Sequence, residues 1–327
     1  MSNSYTAKDI TVLEGLEPVR KRPGMYIGST DSKGLHHLLT EIVDNSLDEA
    51  IANRAKNITV YLHQNSTVSV SDDGAGIPVD LHSSGISALE ITMTRLHAGG
   101  KFNETAYQAS GGLHGIGASA VNALSSSMQV IVKRDNKYFT QKYHLGKPDF
   151  PVKKITLKEV ESVIPSFHHD FLNQISGTLT IFKSDPTIFK EHTKFDYKFI
   201  KNQLRERAYL VAGVSIHLGE ETTNKEAHFY FESGIKSLLA HHNRNKKPLH
   251  DVIKMNGRVE EISPIEVEVV MQYTDTFQEN LISYANTINT CDGGVHLTGF
   301  RTALTRVVKD YLAKNGLNQE KGKKLPD

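Results

Sequence analysis

Glu41-Ile42-Val43-Asp44-Asn45-Ser46-Leu47-Asp48-Glu49-Ala50 is the stretch on which the reading of this chain turns. It lies inside a longer run, residues 34–53, in which Leu35, Leu38, Leu39, Ile42, Val43, Leu47 and Ile51 recur every three or four positions. That is the period of an amphipathic helix. Glu41, Asn45 and Asp48 fall at i, i+4 and i+7 and share one helix face, opposite the apolar stripe. An isolated acidic face is usually solvated surface. The same residues could also set a carboxylate to activate water beside an amide oxygen that ligates Mg2+, a cation that takes oxygen donors.

Two glycine-rich elements follow. Residues 58–63 and 67–71 alternate as strands around the loop Gln64-Asn65-Ser66, and lead into Asp72-Asp73-Gly74-Ala75-Gly76-Ile77-Pro78. Asp-Gly is a favoured turn pair. An acid at a strand end followed by glycines could also accept a hydrogen bond from the amino group of a flat ring. The third element is Gly112-Leu113-His114-Gly115-Ile116-Gly117, directly before a helix expected at 118–124. Successive N–H groups at such a helix start suit a di- or triphosphate. The spacing is neither the P-loop, which needs Gly-Lys-Ser/Thr, nor the dinucleotide fingerprint, which needs a strand immediately before it. Lys101, in Ala98-Gly99-Gly100-Lys101, could swing onto a phosphate. Each element alone is weak; their order within about 80 residues is not expected by chance.

The remainder reads as mixed helix and strand. Residues 128–133 and 138–144 suggest a hairpin around 134–137, 145–176 an irregular stretch, and 177–182 a further strand. A helix is expected at 196–210, strands at 214–218 and 228–231, and the pattern restarts near residue 232. A helix at 235–243, strands at 265–273 and 280–286, and a helix from about 295 to 314 complete an α+β reading in two domains, 1–232 and 233–327. Two domains also agree with 327 residues at about 150 per domain.

Composition narrows the classes. The 38 Lys+Arg and 37 Asp+Glu leave a formal charge of +1, so the chain lacks the overall basic excess of a dedicated nucleic-acid grip. A lone cysteine, Cys291, excludes an intrachain disulfide framework and a cysteine-built zinc site. No apolar run reaches the ~18 residues of a membrane span, and the N-terminus has no apolar signal core, so a cytoplasmic address without membrane contact is expected.

In this order the three elements resemble the GHKL ATPases, which include type IIA topoisomerases, MutL mismatch-repair proteins, heat-shock chaperones and sensor histidine kinases. The flanking text is more specific. Val19-Arg20-Lys21-Arg22-Pro23-Gly24-Met25-Tyr26-Ile27-Gly28, Leu96-His97-Ala98-Gly99-Gly100-Lys101-Phe102 and Ser110-Gly111-Gly112-Leu113-His114-Gly115-Ile116-Gly117 resemble the ATPase components of bacterial type IIA DNA topoisomerases. Gly293-Gly294-Val295-His296-Leu297-Thr298-Gly299-Phe300 resembles the gyrase branch more than the topoisomerase IV branch.

The resemblance implies a GHKL (Bergerat) sandwich of a mixed sheet and helices, followed by a partial ribosomal S5-like transducer domain. It implies ATP and Mg2+, with Glu41 as general base, Asn45 as the metal ligand and Asp72 as acceptor of the adenine amino group. Asp48, Glu49, Gly76, Ile77, Pro78 and Thr178 then border the base pocket. Lys101, Tyr107, Gly112, Leu113, His114, Gly115, Ile116 and Gly117 hold ribose and phosphates, and Tyr5 and Ile10 lie in an arm that crosses to the partner protomer. Implied partners are a second copy in an ATP-dependent homodimer, the DNA-cleaving gyrase A protein in an A2B2 assembly, and double-stranded DNA. Implied work is ATP-driven closure powering strand passage and negative supercoiling. The alternatives are a topoisomerase IV ATPase, a mismatch-repair or chaperone clamp, and a nucleotide-binding clamp without catalysis.

Two departures stand out. Ala75 occupies the position where these enzymes usually carry the Arg that pairs with the residue matched by Glu49, which leaves Glu49 in need of another partner. Residues 151–176 look longer than the family's loop and carry no legible motif. The chain also reaches Asp327 without the Gln-Thr-Lys loop whose lysine meets the γ-phosphate. It is therefore expected to be the N-terminal part of a larger polypeptide, weakly active or inactive alone.

Overall fold

The computed structural model describes residues 12–100, 115–191, 194–260 and 264–316. The chain divides into two compact units, Met1–Asp275 and Thr276–Asp327. The first unit begins with α1 (Glu17–Lys21), α2 (Gly24–Ile27), α3 (Ser32–Ile51), β1 (Asn57–Leu62), β2 (Thr67–Asp72), α4 (Ala88–Thr94) and α5 (Gly117–Ala123). It continues through β3 (Ser125–Arg134), β4 (Lys137–His144), β5 (Lys147–Pro148), β6 (Lys153–Ile155), α6 (Leu157–Val163), α7 (Asp170–Asn173) and β7 (Gly177–Ser184). After these come α8 (Pro186–Phe189), α9 (Tyr197–Leu210), β8 (Ser215–Glu220), β9 (Lys225–Tyr230), α10 (Ile235–Asn243), β10 (Ile253–Val259) and β11 (Ile265–Met271).

Nine strands form one sheet in the order β5-β4-β3-β7-β2-β1-β8-β9, with β6 paired to β4. Among the described residues only β1 and β8 run parallel within it, so the sheet is mixed. The β3–β4 hairpin closes through Asp135 and Asn136, both at positive φ (50° and 56°), as a tight two-residue hairpin turn requires.

The apolar stripe read from the sequence becomes the buried face of α3. Leu35, Leu38, Leu39, Ile42, Val43 and Leu47 pack with Ile58, Val60 and Leu62 of β1, Val68 and Val70 of β2, and Ile200, Leu204 and Ala208 of α9. Burying each such aliphatic side chain stabilises by roughly 1.5–3 kcal/mol. Asp31 starts α3 by accepting from the N–H groups of Lys33 (2.8 Å) and Gly34 (3.3 Å).

The stretch 145–176, expected to be irregular, is organised. It forms β5, β6, α6, a 3-10 turn at Ser166–His168 and α7. Ile155, Val160, Ile164 and Phe171 from it form a second core on Ile131, Tyr138 and Leu179. Its helix start was present in the sequence as a capping box: Thr156 Oγ1 accepts from Glu159 N while Glu159 returns to Thr156 N. His168 is buried, its ring nitrogens bonded to Ser69 (2.7 Å) and Ser71 (2.8 Å) of β2. Burial, with His63 and His217 nearby, pushes its pKa down to about 3, so the ring is neutral.

The second unit contains β12 (Tyr284–Ala285), β13 (Ile288–Asn289) and α11 (Val295–Lys314). The strand expected at 280–286 shrinks to two residues, because Asn286 and Thr287 at positive φ turn the chain back and Thr290 N bonds to Ser283 O (2.9 Å). Among the described residues, no helix is long and apolar enough to cross a membrane.

Candidate functional site

Asp72 ends β2, in register with Thr178 of β7. Its carboxylate is 5% exposed and accepts from Ser46 Oγ (2.8 Å) and from Gly74 N (3.0 Å). Burial pushes its pKa up to about 6, and the charge of Glu49 pushes the same way. The Ser46 and Gly74 hydrogen bonds and the Thr178 backbone oppose the shift. The neighbouring Asp73 does something else: it accepts from Lys56 N (2.7 Å), Asn57 N (2.9 Å) and Asn57 Nδ2 (2.7 Å), tying the turn to the start of β1. The structure thus separates the two adjacent acids into a buried carboxylate and a turn anchor.

The turn after Asp72 is tightly confined. A Cβ at Gly74 would stand 2.9 Å from both Asp72 Oδ1 and Glu49 Cγ, and one at Gly76 would stand 2.8 Å from Lys133 O. Gly76 also has φ +76°, a left-handed conformation open to glycine. Ile77 N donates to Thr178 Oγ1 (3.4 Å), Ser176 Oγ to Gly74 O (2.7 Å) and Arg134 Nη1 to Gly76 O (2.8 Å). Asp72, Gly76, Ile77 and Thr178 are therefore brought together at one sheet end, with Pro78 exposed just beyond.

Glu41 lies two turns earlier on α3, with its side chain 29% exposed. Its Oε1 meets His37 Nε2 at 3.1 Å, and this hydrogen bond is the main reason that the His37 pKa is raised. A Cβ at Gly117, the first residue of α5, would collide with the Glu41 carboxylate. Glycine there leaves room for the Glu41 carboxylate beside the start of α5. Asn45 lies on the same helix and Asp48 is buried, whereas Asp44 turns away to Arg207 of α9 (2.7 and 3.3 Å). Gly115 is at φ +60° and accepts from Ala98 N (3.2 Å), with Ile116 between it and α5. Lys101, Tyr107, Gly112, Leu113, His114, Tyr5 and Ile10 lie outside the described residues.

The partner that Glu49 needs in the absence of an arginine at 75 is Arg54. Its Nη2 reaches Glu49 Oε1 at 2.7 Å and its Nε reaches Oε2 at 2.9 Å. Sequence reasoning missed His37, Ser46, Ser176 and Arg54. His37 was findable at i, i+4 from Glu41; the other three meet the site only through the fold.

Among the described residues, no group of three or more His, Cys, Asp or Glu could hold a metal alone. An ion at the Asn45 amide would have to share a ligand's own oxygens, the habit of Mg2+ at phosphates.

Comparison with known proteins gives two family matches. Residues 30–147 match histidine kinase-, DNA gyrase B- and HSP90-like ATPases, and residues 234–327 match DNA gyrase B. The DNA gyrase B protein of Haloferax volcanii is 50% identical over 310 residues, covering 94% of this chain and 46% of that protein. That of Clostridium acetobutylicum is 47% identical, covering 98% and 48%. The DNA topoisomerase 4 B protein of Bacillus subtilis is 42% identical, covering 98% and 46%. The crystal structure of the 43K ATPase domain of Thermus thermophilus gyrase B, in complex with an aminocoumarin, superimposes with a TM-score of 0.77. It is 36% identical, with 94% of this chain and 76% of that one covered. The chain spans about half the length of the curated relatives it matches.

Proposed function

This chain belongs to the DNA gyrase B family, and from that premise we propose that it is the ATP-binding and ATP-hydrolysing gate of a type IIA DNA topoisomerase. One observation carries the reading. A single helix, α3, presents Glu41 against Gly117 at one point, Ser46 to the buried Asp72 carboxylate five residues on, and Glu49 to the following turn eight residues on. At 1.5 Å per residue those two points lie about 8 and about 12 Å from Glu41 along the axis, room for a nucleoside triphosphate laid along the helix. Asp72 accepts the adenine amino group, with Gly76, Ile77, Pro78 and Thr178 around the ring and Asp48 and Glu49 behind it. Lys101, Tyr107 and the 112–117 segment take ribose and phosphates.

Hydrolysis is an in-line attack of water on the γ-phosphorus, in which positioning and charge compensation matter more than covalent chemistry. Glu41 takes the proton as the water oxygen bonds to phosphorus and the bond to the β-phosphate oxygen breaks. His37 holds the Glu41 carboxylate in place. Asn45 would hold Mg2+, which when bound compensates phosphate charge.

The same reading assigns 1–232 to the nucleotide-binding domain with its dimerisation arm, including Tyr5, and 233–327 to the start of the transducer. The gyrase B match beginning at residue 234 supports that boundary, while the compact units part later, after Asp275. The partners are a second copy, the DNA-cleaving gyrase A protein and double-stranded DNA. The work is ATP-driven closure, strand passage and negative supercoiling in the cytoplasm. The 42% identity to a topoisomerase 4 protein keeps decatenation as the second reading, and comparing supercoiling with decatenation by the assembled enzyme separates them.

Glu41→Ala tests the chemistry. In the full-length protein it is expected to bind ATP within a few-fold of the wild type and to lose hydrolysis by about 10²–10⁴, the usual contribution of a general base. Unchanged turnover would remove Glu41 from that role.

A further inference from the structure

The end of α3 is built to deliver one side chain. Asn53 N bonds to Ala50 O (2.9 Å) and Arg54 N to Glu49 O (2.8 Å), with Asn53 at φ 57°. This is the paired 5→2 and 6→1 pattern of a Schellman motif, with asparagine at the left-handed position. In that motif the residue after the left-handed one folds back over the residue five positions earlier, and an apolar contact commonly sits there. Here the pair is Arg54 over Glu49, and it is a two-point ion pair of the kind that fixes geometry as well as charge.

Glu49 passes this on. Its side chain is 14% exposed. Oε2 also accepts the N–H of Ala75 at 3.1 Å, and its stem touches the space beside Gly74, across which lies Asp72 Oδ1. Position 75 itself brings no cation to this turn.

We propose that Arg54 is a positioning residue for base recognition: by clamping Glu49 from the helix end, it fixes the 72–76 turn and neutralises the anion beside Asp72. The inference rests on the reading of Asp72 as the acceptor of the adenine amino group and deepens it. The guanidinium touches no nucleotide. It acts on how sharply Asp72 distinguishes a ring carrying an amino group at that edge from one carrying a carbonyl.

The test is calorimetric binding of ATP and of GTP to the 327-residue chain and its variants. Arg54→Met is expected to weaken ATP on the order of tenfold while GTP changes little, so that the ATP:GTP preference narrows. Arg54→Lys, which restores charge but not the fork, should recover part of it. In a Glu49→Gln background the further loss from Arg54→Met should shrink, because the anion it compensates is gone. Wild-type ATP affinity and preference in Arg54→Met, alongside weakened ATP binding in Asp72→Asn, would overturn the clamp and leave the base pocket standing. If Asp72→Asn also binds like the wild type, the base-pocket reading fails and the clamp with it.

Discussion

On the proposed reading, Asp72 serves binding at the expense of the fold. A carboxylate whose pKa is raised from 3.8 to about 6 binds its proton more tightly in the folded state than in the unfolded one. Stability therefore falls as pH climbs between those values and stays lower above them, by roughly 3 kcal/mol on a shift of this size. Asp72→Asn does not titrate, keeps an oxygen for Ser46, and escapes this penalty. Its thermal midpoint relative to the wild type should be higher at pH 8 than at pH 4.5, while its ATP affinity drops. A relative midpoint that falls with rising pH would contradict the assignment. His37 has the opposite sign: its raised pKa makes its bond to Glu41 a stabilising feature below about pH 6.5, lost as pH rises through the raised value. Gly117 is the third informative residue. Gly117→Ala places a methyl group against the Glu41 carboxylate, so ATP turnover should fall at least tenfold with the fold intact by circular dichroism. Unaltered turnover would mean that the contact is not used.

At the scale of elements, the legible parts were those whose pattern is local. The α3 stripe, the β1–β2 hairpin and the Asp-x-Gly turn follow from periodicity and turn chemistry. The acids Glu41 and Asp72 stood out only in conjunction, through the order of the three elements and the family they resemble; each alone reads more readily as a solvated face or a turn. Arg54 and Ser176 did not, because their roles depend on a helix end folding back and on a distant segment docking. The 151–176 stretch shows the same limit. Its capping box at Thr156 could be read, but not that Phe171 and Val160 would cover the face of β3 and β7 turned away from α3. Two predictions belong here. Phe171→Ala removes a fully buried ring and should cost about 3–5 kcal/mol, measured by denaturant unfolding. His168→Ala removes the ring bonded to both the Ser69 and Ser71 hydroxyls, Ser69 keeping its bond to His63 (2.9 Å), and should cost about 1–3 kcal/mol. A loss below about 0.5 kcal/mol in either would mean that the segment is not docked as described.

For the whole molecule, the near-neutral charge agrees with the function proposed above, in which an ATP-operated gate would meet DNA through a few basic side chains after two copies close. Arg301 and Arg306, both on α11, are the candidates for that contact, and Arg301 is already paired with Glu279 at 2.7 Å. The proposed gate requires that α3 and the end of β2 form one adenine-nucleotide site. The most direct measurement is calorimetric binding of ATP to the 327-residue chain, with GTP as comparison and Asp72→Asn as the variant. The wild type is expected to bind ATP in preference to GTP, and Asp72→Asn to lose both affinity and preference. Equal binding of the two nucleotides, or an Asp72→Asn variant that binds ATP like the wild type, would contradict a single adenine site built on α3 and β2.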